Sequence, residues 1–272
     1  YELLCSICKP THAMITNIGK DHLEGYGGFE GVIKAHKEVV DYVLANKAKF
    51  FANTDDEEIN KLLPDYPRTY SYGLNGHFVK CLETSLDPFL NISLNLKEKG
   101  LLKISSRLSG IYQASNIMAA VAIGHYFQLH EKAIKKVIES YIPDNNRGQV
   151  LKKGDMTIIL DAYNANPDSM KLAIQSLINM HSKKLAILGD MFELGEYESQ
   201  EHQAIINLLV ENDIPALIMG EAFARTKYPD SIEHFEDKQL LAERIQELKP
   251  DYILIKGSRG MKMEEVLNYL PD

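Results

Sequence analysis

Tryptophan is absent from the 272 residues, and cysteine is limited to Cys5, Cys8 and Cys81. Three thiols cannot be paired off into the disulfide framework of a small secreted domain. Cys5-x-x-Cys8 has redox or zinc spacing, but no second Cys/His pair accompanies it, so it reads as a buried structural pair. No apolar run approaches the roughly 18 residues of a membrane span, and no basic stretch followed by an apolar one opens the chain. A soluble protein of the cytoplasm is the expectation. Basic residues are also short: 30 Lys and Arg stand against 38 Asp and Glu, for a net charge of -8. Nucleic acid and anionic membranes are thereby poor default partners, and any anion site must be local. A phosphate-cradling G-x-x-x-x-G-K-[ST] loop is missing too. Its nearest approach, Gly19-Lys20, is followed by Asp21 and has Met14 where the first glycine belongs.

What is present suits two compact domains, since 45% of the residues are hydrophobic and domains of about 100 to 150 residues each build their own core. The first residue is Tyr1, with no helix or strand signal leading into it, so the chain is expected to be part of a longer protein. Apolar segments alternate with helical patterns, as in parallel sheets covered by helices. "HAMITNIG" reads as a strand ending at Asn17, "KAKFFANTDD" as a second, "EEINKLL" as a short helix and "RTYSYGL" as a third strand. Residues 77 to 107 alternate with period two and read as a small antiparallel appendage. Helices follow over about 113 to 129 and 131 to 141. "IPDNNRGQV" is a polar break, which sets domains of 1–145 and 146–272.

The helix near 30 to 44 places Val32, Val39, Val40 and Val43 on one arc, with Ile33 and Leu44 at its margin. Lys37 falls beside that margin, whereas Lys34 lies opposite, flanked by Glu30 and Glu38. On the helix alone Lys37 is by default a snorkelling side chain with its ammonium in water, and a functional role needs another clue. His36 lies nearer the centre of the arc and reads as a buried structural histidine.

Strand then helix repeats clearly in the second half, where "MTIIL", "KLAILG", "ALIMG", "IEHF" and "YILIKG" alternate with helices near 167 to 180, 199 to 211, 237 to 247 and 261 to 270. This is an α/β, doubly wound, Rossmann-like pattern, in which ligands bind beyond the carboxyl ends of the strands. The residues there are polar. "DAYNANPDSM" offers Asn166 as a helix N-cap, Pro167 as the first helical residue and Asp168 as a first-turn acid. "DMFELGEYE" follows the next strand, and "KGSRGM" is a glycine-bearing turn with two cations, where an anion would sit well.

Read in order, "PTHAMITNIGKDHLEGYGGFEGVIKAHKEV", "LSGIYQASNIMAA", "LDAYNANPDSM", "AILGDMFELG" and "ILIKGSRGMKMEEV" resemble the Mur ligase family, ATP-dependent amide ligases of peptidoglycan synthesis. Within it the strand ends are most similar to the member that adds D-alanyl-D-alanine. The resemblance implies part of a central ATPase domain followed by a Rossmann-like ligase domain. It also implies that the amino-terminal domain and the P-loop reside in a preceding part of the same protein. In this family a histidine after the "TN" strand helps hold Mg²⁺, and a lysine fifteen positions later carries a carbamate. His22 and Lys37 have that spacing. A partly desolvated amine could add carbon dioxide to become an anionic oxygen ligand of the kind Mg²⁺ prefers.

The family pattern further places Asn17, Asn116, Arg147 and Asp161 with the nucleotide. Asn164, Asn166, Asp190, Lys256, Ser258 and Arg259 fall where the incoming dipeptide and phosphates are expected. One departure stands out: where the family has G-x-H-N-x-x-N, this chain has Tyr112 and Gln113 in place of His and Asn. The implied reaction passes phosphoryl from ATP to the carboxylate of UDP-MurNAc-tripeptide, and the amine of D-Ala-D-Ala then attacks the acyl phosphate. The chain alone is expected to be inactive. A folylpolyglutamate synthase-like ligase and a noncatalytic binding module are the competing readings.

Overall fold

The computed structural model describes residues 1–63 and 65–271. Two compact units separate at Tyr141/Ile142: residues 1–85, 89–107 and 112–141 form the first, and residues 86–88, 108–111 and those from 142 onward the second.

The first unit runs α1 (Glu2–Cys8), β1 (His12–Met14), α2 (Leu23–Tyr26), α3 (Phe29–Asn46), β2 (Lys49–Asn53), α4 (Glu57–Leu62), β3 (Thr69–Gly73), β4 (Val79–Asp87), β5 (Phe89–Leu96), β6 (Gly100–Ser109), α5 (Gln113–Tyr126) and α6 (Glu131–Ser140). Its six strands lie in one sheet in chain order, and β1 to β4 pair in parallel. Residues 77 to 107 are thus no appendage. β4 continues the ladder of β3, and connections of one and three residues join β4 to β5 and β5 to β6, lengths that only antiparallel neighbours permit. β1 stops at Met14, short of Asn17, because Ile15 and Ile18 turn inward and the Ile18 amide leaves the ladder for the Asp56 carboxylate at 2.9 Å.

α3 buries Val32, Val40 and Val43, while Leu44 is exposed. Gly31 is needed because a Cβ there would lie 1.9 Å from the Tyr26 carbonyl oxygen at the end of α2. His36 is half-buried, with Nδ1 2.9 Å from the Val32 carbonyl oxygen one turn earlier. The cysteine expectation fails in part: Cys5 is buried but Cys8, on the same short helix, is exposed.

The second unit runs β7 (Gln149–Lys153), β8 (Met156–Asp161), α7 (Pro167–Ile178), β9 (Lys184–Gly189), α8 (Glu198–Glu211), β10 (Ala216–Met219), α9 (Glu221–Ala224), β11 (Ile232–Phe235), α10 (Lys238–Leu248) and β12 (Tyr252–Lys256). Its sheet order is β11-β10-β9-β12-β8-β7. All neighbours are parallel except the edge pair β7–β8. Ile158, Leu160, Leu185, Ile187, Ile253 and Ile255 are fully buried, as expected of parallel strands covered on both faces. β12 inserts between β8 and β9, so the sheet departs from chain order where those three strands end. The helix expected at 261 to 270 is instead two 3₁₀ segments, Arg259–Met261 and Met263–Tyr269, separated by Lys262 in the left-handed region at φ 47°. No helix among the described residues is long and apolar enough to cross a membrane.

Tyr72 on β3 is fully buried, and its hydroxyl has no hydrogen-bond partner among the described residues. Burial first, and then the Asp56 and Asp55 carboxylates, push this phenol up to about 12. An unfolded tyrosine ionises near 10, so the folded chain should be at full stability below that pH and lose stability as pH rises toward 12. Replacing Tyr72 with Phe should leave neutral-pH stability within about 1 kcal/mol, because no hydrogen bond is lost, and should flatten the alkaline decline. Urea midpoints from pH 8 to 12 check this, and an unchanged slope in Tyr72→Phe would refute it.

Candidate active site

Three turns follow the neighbouring strands β8, β12 and β9, and side chains weld them into one network. Lys256, the last residue of β12, is 2% exposed. Its ammonium donates to Asp161 Oδ2 at 2.6 Å, to the Asn164 carbonyl at 3.1 Å and to the Asp161 carbonyl at 3.5 Å. An ammonium has three protons, and three acceptors account for them. Ser258, 1% exposed, donates from Oγ to the Ala165 carbonyl and from its amide to the Asp190 carbonyl, while Oγ accepts the Phe192 amide at 2.8 Å. The turns at 161–166, 190–192 and 256–259 therefore cannot shift independently.

Asp190 is buried, and its two carboxylate oxygens accept the Ala222 and Phe223 amides at 2.9 and 3.0 Å, at the start of α9. Gly220 must be glycine beside it: φ is 111°, and a Cβ would lie 2.2 Å from the Asp190 carboxyl carbon. Asn166 caps α7 in a reciprocal box, accepting the Ser169 amide at 2.8 Å while its own amide donates to Ser169 Oγ. The cap read from "NPDS" is present.

What faces outward is different in kind. Asn164 is exposed. Arg147 is exposed and stacks its guanidinium 3.8 Å from the ring centre of Tyr163, an arrangement that fixes a planar cation. The Tyr163 amide also donates to the Asn146 carbonyl at 3.1 Å. Arg259 is exposed and held by Glu264 at 2.6 Å. Arg147 and Arg259 are thus the candidate anion contacts of this unit, whereas Lys256 and Asp190 have their polar atoms engaged inside the protein.

In the first unit the candidates lie on the loop after β1, on α3 and on the first turn of α5. Asn17 is exposed and receives the Thr16 hydroxyl at 3.3 Å. His22 takes φ 52°, in the left-handed region, directly before α2, with half its side chain exposed. Lys37 is exposed, 52% for its side chain, and pairs with Asp41 one turn on. This exposure matches the snorkelling side chain read from the helix, because the arc margin on which Lys37 sits faces solvent. Asn116 donates to Gln113 at 2.8 Å, so the residue that replaces the family asparagine orients the next one.

Sequence reasoning passed over Asp56 and Tyr163. Asp56 caps α4 through the Ile59 amide at 2.9 Å and, with its other oxygen, holds the loop that carries Asn17 and His22. An Asp immediately before "EEINKL" was the available signal for the cap, but its second partner lies 38 residues away.

Breaking the buried pair should be costly. Lys256→Met leaves a carboxylate without its cation and should lose roughly 3 kcal/mol; the double variant with Asp161→Asn should lose less than the two single variants added together. Urea denaturation of the four proteins checks this, and simple additivity would refute the coupling.

Comparison with known proteins follows the same division of the chain. The Mur ligase middle domain matches residues 2–124, and the glutamate ligase domain of Mur ligases matches residues 146–259. The UDP-N-acetylmuramoyl-tripeptide–D-alanyl-D-alanine ligase of Bacillus subtilis is 27% identical, over 99% of this chain and 61% of its own. The crystal structure of MurF from Acinetobacter baumannii superposes with a TM-score of 0.86 at 26% identity, over 98% of this chain and 61% of that one. MurF of Thermotoga maritima, in complex with ADP, has the same fold, with a TM-score of 0.87 at 24% identity over 98% and 63%. The chain thus spans about three fifths of the length of the relatives it matches. With both family domains matched in order, and whole-chain relatives of the same kind, the chain belongs to the Mur ligase family.

Proposed function

We propose that this chain is part of an ATP-dependent amide ligase that joins D-alanyl-D-alanine to UDP-MurNAc-tripeptide. What carries the reading is that "YNANP", "GDMFELG" and "KGSRG" form one bonded network at neighbouring strand ends, in a chain whose relatives bearing that activity match nearly all of it.

ATP, as substrate, supplies the phosphoryl group that activates the carboxylate. The exposed guanidiniums of Arg147 and Arg259 fit such an anion, since each is pre-oriented, one by Tyr163 and one by Glu264, and electrostatic stabilisation of a moving phosphoryl needs fixed cations. Asn164 offers an amide on the exposed face of the same turn. Asp161, Lys256, Ser258 and Asp190 hold the turns that present these groups, and Asn166 fixes the start of α7. Asn17 and Asn116 are assigned to the nucleotide on the family pattern.

His22 and Lys37 belong to the metal site in this reading, but they do not complete one. Unmodified, they offer a ring nitrogen and an amine, whereas Mg²⁺ prefers oxygen, which a carbamate on Lys37 would supply, and no three His, Cys, Asp or Glu residues of the described chain converge as a metal site. The remaining ligands and the P-loop are assigned to another part of the same protein, so the 272 residues alone should turn over no ATP.

Two measurements test this. The longer protein, given Mg-ATP, UDP-MurNAc-tripeptide and labelled D-Ala-D-Ala, should form pentapeptide and ADP; formation of neither would overturn the assignment. In the same assay Lys37→Ala should lose most of the activity and regain part of it with short-chain carboxylates, whereas Lys34→Ala should stay near wild type. Wild-type turnover by Lys37→Ala would remove the carbamate from the reading.

A further inference from the structure

His202 lies on α8, outside every motif discussed so far, and none of its surface is exposed. Its two ring nitrogens face different backbones. Nδ1 is 2.7 Å from the Glu198 carbonyl oxygen, one turn earlier on α8, and can only donate there. Nε2 is 3.0 Å from the Met191 amide nitrogen, which can only donate to it. The two contacts select one state of the ring, a neutral imidazole protonated on Nδ1. Met191 is the middle of the 190–192 turn, whose carbonyl at Asp190 and amide at Phe192 are both bound by Ser258.

We propose that His202 is a positioning residue of the ligase site: as the acceptor for the Met191 amide it fixes the turn after β9, and through Ser258 the turns after β12 and β8. The inference rests on the ligase reading above for its catalytic consequence, but the geometry belongs to this chain alone.

Protonation would reverse the role of Nε2. An imidazolium cannot accept the Met191 amide, and its new N–H would face Asp190 Oδ1, 3.7 Å away, which already receives the Phe223 amide. The turn would then lose one anchor while the α9 anchor gained a competitor. Burial holds the ring in its neutral form and pushes its pKa down, against the Glu198 carbonyl and the Asp190 and Glu198 carboxylates, which favour the charged form; Arg225 adds to the downward shift. The Phe223 ring, edge-on at 4.6 Å, is the apolar wall of the pocket.

Two substitutions separate positioning from packing. His202→Leu keeps an apolar side chain against Phe223 but has no acceptor; His202→Gln carries an oxygen near the place of Nε2. In amide hydrogen exchange on this chain, Met191, Phe192 and Ser258 should lose at least about tenfold of their protection in His202→Leu and keep it in His202→Gln, with the amides of β9 unchanged in both. If packing alone matters, Gln will be as damaging as Leu or worse, and that order overturns the proposal. Nitrogen NMR of the wild-type imidazole should show the Nδ1–H form down to below the ordinary histidine range near 6.5; titration at or above that range also overturns it. In the longer protein His202→Leu should lower kcat at least about tenfold and His202→Gln restore it to within about threefold. Equal kcat in all three would limit the residue to structure and overturn the positioning role. Absence of pentapeptide from the wild-type longer protein falls on the ligase reading, and the exchange and NMR results then decide His202 by themselves.

Discussion

An ammonium removed from water must find acceptors for all three of its protons, and the second unit is arranged around one that does. Lys256 ends a strand flanked on both sides by parallel neighbours, and its side chain is buried at 2% exposure. The Asp161 carboxylate supplies the charge, and the carbonyls of Asp161 and Asn164 the remaining acceptors. A pair of this kind contributes little net stability over a well-packed apolar pair, but it tolerates few geometries. Its consequence is positional: the turn after β8 has one place to be, relative to the turn after β12.

The same logic recurs with neutral groups. Ser258 binds the turns on either side of it, Asp190 reaches forward to the start of α9, and Asp56 in the first unit reaches back to the Ile18 amide. In each case a short polar side chain satisfies backbone groups that a loop after a strand or the start of a helix leaves unpaired. The result in the second unit is a set of buried polar residues that carries exposed ones. Asn164, Arg147 and Arg259 are exposed, whereas Lys256, Ser258 and Asp190 are buried. In the proposed reading, a substrate at this surface would find cations already oriented, which would lower the entropy that binding must remove.

Legibility in the sequence was uneven, and for physical reasons. β8, β9, β10 and β12 were visible because strands buried on both faces must be almost wholly apolar, whereas β11, an edge strand with only Ile232 buried, was marked by its place in the strand-helix alternation. β7 was not, since an edge strand with one half-covered face has no such requirement. The strand content of residues 77 to 107 was readable from alternation, but its place in the sheet was not, because the pairing of β4 with β3 is a relation between segments. The 3₁₀ segments after Arg259 were misread as one helix, since the left-handed Lys262 that divides them leaves no mark in apolar spacing. Among the site residues, the Asn166 cap was legible because its partners are three residues away. His202 was invisible because its partner amide belongs to a turn bent back against α8.

By itself the sequence determined the alternation of strand and helix, the polar character of the strand ends and the caps of single helices. Each depends on residues within a few positions of one another or on the demand that buried surfaces be apolar. Tertiary structure alone decided which polar residues of a motif face inward. Lys256 and Arg259 stand three apart in one turn with like charge, yet the first is 2% exposed and the second lies open to solvent. Lys37 is the converse case: on the rim of an apolar arc it reads as a side chain with its ammonium in water, and the folded helix leaves it so, beside Asp41. Burial is a property of what packs against a side chain, and a helical or strand period reports only the direction in which that side chain leaves its own backbone.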